Sequence, residues 1–112
     1  MMEPDADFVR SLAACGITVQ GLRDGRFVIS RQAGPVWPDR GNSFWIVHAA
    51  GHWHLSTWLP ACYRVPRSDQ LADLCVDCMD CGTSAMWRAS EDIIAKYALE
   101  ELSDDQCDAL FG

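Results

Sequence analysis

At 112 residues, 49% hydrophobic and 22% charged, the chain has the length of one domain and a globular composition, which excludes a disordered polymer. No apolar run approaches the roughly 18 residues that span a bilayer, and the acidic opening Met1-Met2-Glu3-Pro4-Asp5-Ala6-Asp7 is unlike a secretory signal, so the expected location is cytoplasmic. The net charge of −7 is unevenly spread: residues 1–67 carry seven Arg against five acids, whereas residues 68–112 carry Arg88 and Lys96 against eleven. That excess disfavours nucleic acid and anionic membrane, and it suits a basic protein partner or plain solubility.

The first predicted element is a helix over 4–15. Pro4 fits a first turn, Asp5 and Asp7 suit the positive helix N-terminus, and Gly16 is a natural stop. Phe8, Leu12 and Cys15 share one face at helical spacing. Two hairpins follow. Residues 17–20 and 26–30 alternate as strands around Asp24-Gly25, a strong tight-turn signal. After a Gly- and Pro-rich loop over 33–43, residues 43–49 and 52–58 form the best strand pair, turning at Ala50-Gly51. A two-residue turn there pairs His48 with Trp53, Ile46 with Leu55 and Phe44 with Thr57. The opposite face then carries Trp45, Val47, His54, Ser56 and Trp58, and a one-residue slip exchanges the faces.

A second helix begins near Ser68 or Asp69. Leu71, Leu74, Cys75, Cys78 and Met79 form its apolar stripe, Asp69, Asp73, Asp77 and Asp80 its opposite side, and Gly82 its end. Ser90 caps a third helix with Ile93, Ile94 and Tyr97. Ser103-Asp104-Asp105-Gln106 is a capping box that opens a last one with Cys107, Leu110 and Phe111. The expected fold is a single α+β domain over 1–112. It has an N-terminal helix, a four-stranded antiparallel sheet from two hairpins, and three C-terminal helices packed on one face.

Six cysteines (Cys15, Cys62, Cys75, Cys78, Cys81 and Cys107) invite a disulfide reading only in a secreted chain, and here they are expected to be reduced thiols. Cys75-Val76-Asp77-Cys78-Met79-Asp80-Cys81 resembles the opening of a bacterial ferredoxin cluster run, with thiolates spaced to hold iron–sulfur or zinc. The resemblance covers seven residues; the fourth Cys followed by Pro is missing, and Gly82-Thr83-Ser84 follows instead. Cys75 and Cys78 also fit the buried helix stripe, where a free Cys behaves as a small hydrophobe. His48, His52 and His54 are split between the two hairpin faces, which leaves His52, His54 and Cys62 as a composite metal set and solvent-exposed imidazoles as the default. Cys62 with His48 or His54 is the formal nucleophile pair, but nothing around Cys62 marks an oxyanion site.

Five Trp exceed what one sheet face needs, and Trp45, Trp58 and Trp37 are the ones left over as interface anchors. Like charges four residues apart on a helix are unfavourable by a few tenths of a kcal/mol, so the Asp69, Asp73, Asp77 and Asp80 stripe is either a solvated face or complementary to a basic partner. Size and acidity are similar to those of small bacterial immunity and regulatory proteins, although no motif carries that likeness. The expected function is therefore non-enzymatic protein binding, as an inhibitor, immunity-type or accessory subunit. It would dock a basic partner through Asp69, Asp73, Asp77, Asp80, Trp37, Trp45 and Trp58, with no cofactor. A metal or thiol-redox module using Cys75, Cys78 and Cys81 is the alternative, and a cysteine-dependent enzyme the second.

Overall fold

The computed structural model describes residues 4–21, 25–31, 43–56, 61–80 and 91–111. The first helix, α1, spans Ala6–Ala13. Asp5 is its N-cap rather than a residue of its first turn, because the Asp5 carboxylate accepts the Phe8 amide at 2.8 Å. The helix stops two residues earlier than predicted, with Gly16 at φ +76°. Phe8 and Leu12 are therefore buried while Cys15, past the helix end, is exposed.

Six antiparallel strands follow the order β1 to β6 as a meander: β1 Ile17–Gly21, β2 Phe27–Arg31, β3 Ser43–Ala49, β4 His52–Ser56, β5 Cys62–Val65 and β6 Glu100–Glu101. The β3–β4 register is the predicted one, with Ile46 opposite Leu55 and His48 opposite Trp53. Ala50 at φ +52° and Gly51 at φ +80° supply the two left-handed residues that a tight hairpin turn needs. The β1–β2 hairpin differs from expectation: Gly21 pairs with Phe27, so five residues separate the paired strands, and Asp24 of the predicted turn lies outside the described residues.

Two strands go beyond the predicted four. β5 was hidden by its shortness, although Tyr63 and Val65 point one way and Cys62 and Arg64 the other. β6 has two glutamates and no hydrophobic period at all. It is recruited by pairing Glu100 with Arg64, whose guanidinium forms an ion pair with the Glu100 carboxylate.

Strand alternation divides the sheet into two faces. Phe27, Ile29, Phe44, Ile46, Trp53, Leu55, Tyr63 and Val65 are all buried on one, each worth about 1.5–3 kcal/mol of transfer free energy. Against them pack α1, α2 (Leu71–Asp80, entered through a 3₁₀ turn at Ser68–Gln70) and α3 (Glu91–Tyr97). The α2 stripe of Leu71, Leu74, Cys75, Cys78 and Met79 is buried as its spacing predicts, and Ile93 and Tyr97 join the same core.

The last helix, α4 (Asp104–Phe111), overturns the expectation that all C-terminal helices share one face. Its capping box forms as predicted, with Ser103 Oγ accepting the Gln106 amide and Gln106 Oε1 accepting the Ser103 amide. Yet Cys107 is disulfide-bonded to Cys62, which points to the opposite face beside Ser56, with Cα atoms 5.8 Å apart. These two cysteines are thus not the reduced thiols expected. The far end of α4 reaches β2's side of that face, where Arg26 Nη1 donates to the Phe111 carbonyl at 2.9 Å. The molecule is therefore a three-layer α/β/α arrangement. No helix among the described residues is long and apolar enough to cross a membrane.

Ala98 ends α3 in the left-handed region at φ +52°, where the Leu99 amide reaches back to the Ile94 carbonyl at 3.0 Å in a Schellman-type close. Replacing Ala98 with Gly relieves a Cβ clash and is expected to stabilise the protein by about 0.5–1 kcal/mol. Gly51→Ala is expected to destabilise it by about 1 kcal/mol or more. Urea midpoints at constant slope check both signs.

Candidate functional site

The acidic residues of α2 do not form the uniform stripe that the sequence suggests. Asp69 lies in the 3₁₀ turn and is engaged by its neighbour Arg67, through Nη2 at 2.8 Å and Nε at 3.3 Å. Asp77 is half-buried, and its Oδ2 accepts from both Lys96 Nζ at 2.8 Å and the Tyr97 hydroxyl at 2.5 Å. Asp73 stands between them, exposed and without an ion-pair partner among the described residues. The Asp80 side chain, Trp37, Trp58 and Cys81 lie outside the described residues.

The three groups at Asp77 condition one another. Hydrogen bonds from Lys96 and then Tyr97 hold the Asp77 carboxyl below its ordinary value of 3.8. Burial, followed by the Asp77 carboxylate, pushes the Tyr97 phenol up to about 12. The hydrogen bond to Asp77 raises the Lys96 ammonium as well. The site is thus a fixed carboxylate flanked by a neutral phenol and a cation over the wide span of ordinary pH.

Asp73 and Asp77 both line a groove of ≈ 430 Å³ where α1, α2 and α3 meet. Ser11 and Cys15 form one wall, Lys96 and Tyr97 the other, and Gln70, Ala72 and Val76 contribute the remaining α2 surface. Two carboxylates outweigh the single Lys96 ammonium in its lining, so the groove favours a cation. A second hollow of ≈ 580 Å³ between Asp5, Phe8, His48, Trp53 and Asp69 also carries two carboxylates, but both are already engaged. There Asp5 caps α1, and Arg67 already engages Asp69.

The other sequence candidates separate in space. Trp45 is half-buried, with the Arg26 guanidinium carbon 5.8 Å from its ring centroid, so it is an engaged residue rather than a free anchor. Cys75 and Cys78 are fully buried in the core, and burial raises the Cys75 thiol well above its usual value, which disfavours a ligating thiolate. No group of three metal-capable side chains occurs among the described residues. Cys62, offered as a nucleophile or ligand, has no thiol because it is bonded to Cys107.

The histidines divide between faces as predicted, His48 against Trp53 with ring centroids 5.2 Å apart and His54 on the opposite side. His54 is not the exposed imidazole expected, for it is buried, and its Nδ1 has no hydrogen-bond partner among the described residues. Burial first, and the His52 imidazole next, hold its pKa below the ordinary 6.5. Sequence reasoning missed both this buried His54 and the Asp77–Tyr97 bond. The Tyr97 hydroxyl on a helix face otherwise apolar was the available signal for the second.

No protein family, curated protein or solved structure matches the chain.

Two titrations follow from these groups. His54 has a lowered folded pKa, so its contribution to stability is intact above pH 6.5 and is lost as pH falls below that value. A urea series from neutral to mildly acidic pH is expected to show this decline, and His54→Gln to flatten it. Tyr97 has a raised folded pKa, so its contribution is intact below pH 10 and is lost as pH rises towards 12. Asp77→Asn is expected to bring the Tyr97 phenolate transition part of the way back from 12, followed by ultraviolet absorbance with Tyr97→Phe as the reference.

Proposed function

We propose that this chain is a non-enzymatic protein-binding domain, of the inhibitor, immunity-type or accessory-subunit kind, that docks a basic protein partner through the outer side of α2. What supports the reading above all is Asp73, an exposed carboxylate with no cation of its own among the described residues, at the rim of a groove whose charge balance is negative. Asp77 lies beside it and stays ionised, because Lys96 and Tyr97 hold its proton off. A partner Lys or Arg side chain fits this setting: its stem lies along Ala72 and Val76, and its charge meets Asp73.

Lys96 has an internal role that resembles the partner's, being an exposed ammonium resting on Asp77. An incoming cation either adds at Asp73 or competes with Lys96 for Asp77. Asp69 extends the same acidic side, and Asp80, Trp37 and Trp58 are further proposed contacts, whereas Trp45 lies on the opposite sheet face under Arg26 and falls outside this interface. The eleven acids of residues 68–112 supply a longer-range field that speeds encounter with a basic surface. The same field repels nucleic acid.

The test uses charge changes of opposite sign on the intact chain, with the partner captured from the native cell. Asp73→Lys breaks no ion pair among the described residues and is expected to leave circular dichroism unchanged, with a thermal midpoint lowered by a few degrees at most because a cation replaces a carboxylate in the first turn of α2. It should weaken binding about tenfold, mostly through the association rate, with the difference shrinking as salt is added. Lys96→Ala frees Asp77 and is expected to tighten binding. Equal affinity of both variants and the wild type would remove α2 from the interface.

A further inference from the structure

We propose that the Cys62–Cys107 bond is a redox latch, whose reduction by a dithiol releases α4 from the second face of the sheet while the rest of the fold persists. The bond joins β5 to α4 across 45 residues of sequence. Its two ends differ in setting. Cys62 is 1% exposed in the sheet, whereas Cys107 is half-buried on a surface helix.

Without the bond, little among the described residues holds α4 in place. None of its side chains is fully buried; Cys107, Leu110 and Phe111 are half-buried, and Asp104, Asp105, Gln106, Asp108 and Ala109 are exposed. Its polar ties to the sheet among the described residues are the Arg26 hydrogen bond to the Phe111 carbonyl and, just ahead of the helix, the Leu102 amide on the Cys62 carbonyl at 3.0 Å. An eight-residue helix is marginal by itself in water. Asp104 and Asp108, four residues apart, add repulsion along it. The cross-link therefore acts as the main anchor, by keeping α4 at high effective concentration beside the sheet.

The opposite face is independent of α4. The buried cluster that joins the sheet to α1, α2 and α3 contains no α4 residue. Removing the helix leaves that cluster whole and uncovers the side of the sheet that carries Trp45, Val47 and His54.

The chemistry balances as thiol–disulfide exchange. A thiolate of the reductant attacks Cys107 Sγ, the more accessible sulfur, forming a mixed disulfide as the Cys62–Cys107 bond breaks. Cys62 leaves as a thiolate and takes a proton. The second reductant thiol then displaces Cys107 and closes the reductant's own disulfide. Two electrons pass to the protein, and two protein thiols form. Closing the latch requires a disulfide oxidant that accepts the same two electrons. Among the described cysteines, Cys75 and Cys78 are buried and take no part, and Cys15 is exposed, so Cys15→Ser serves as the background that removes this thiol from intermolecular exchange.

The experiment is hydrogen–deuterium exchange of the intact Cys15→Ser chain, oxidised and after dithiothreitol, with Cys107→Ser as a permanently open form. Reduction is expected to speed exchange of amides 104–111 by about tenfold or more, while β2–β4 and α2 keep their protection. Cys107→Ser should reproduce the reduced pattern without reductant. Unchanged protection of α4 on reduction overturns the proposal, because the bond then has no hold on the helix. Exchange that rises throughout the chain also overturns it, making the bond a staple of the whole fold. Free-thiol titration of the unreduced, denatured Cys15→Ser chain that finds all five remaining cysteines excludes the latch outright.

Discussion

At the tip of the β3–β4 hairpin, Ala50 and Gly51 both adopt left-handed backbone conformations, and this turn decides which side chains enter the core. Because the side-chain period of a strand is two, moving the turn by one residue would send Trp45, Val47 and His54 inward and expel Phe44, Ile46 and Leu55. The register propagates outward through the meander. β4 fixes β5 by setting Leu55 opposite Tyr63, and β3 fixes β2 by setting Ile46 opposite Phe27. Cys62 consequently faces away from α2, on the only side where Cys107 can meet it.

The same division assigns the two kinds of chemistry to different places. The core side gathers α1, α2 and α3, and at their junction lies the groove with Asp73 and Asp77 on its rim. The opposite side holds the disulfide, Arg26 stacked over Trp45, and buried His54. A partner engaging the α2 side and a reductant acting at Cys107 would therefore not compete for one surface. Asp77 couples packing to charge, since Tyr97 belongs to the core while its hydroxyl anchors the carboxylate that faces the groove.

Local rules made the periodic parts readable. The α2 stripe from Leu71 to Met79, the Ser103–Gln106 capping box and the Ala50-Gly51 register each depend on residues close in sequence, and each stands as read. What stayed hidden depends on distance along the chain. β6 is two glutamates that form a strand because Arg64 is waiting for one of them. The Cys62–Cys107 pairing crosses 45 residues, and neither cysteine has a local feature that distinguishes it from the other four. An even cysteine count names no pair, so it does not place α4. Of the proposed site, the acids of α2 were legible; their unequal situations were not, because Arg67, Lys96 and Tyr97 decide them in space.

The burial of Cys75 and Cys78 has a consequence for assembly. Synthesis runs from the N-terminus, so Cys62 is made before either of them and long before Cys107, its correct partner. A nascent sheet that presents Cys62 would meet nearer thiols first, Cys75 and Cys78 among them. Folding α2 onto the core withdraws both of them, sterically and by raising the Cys75 thiol so that little thiolate forms. The helix that completes the hydrophobic core therefore also takes two competing thiols out of reach of Cys62 before Cys107 arrives.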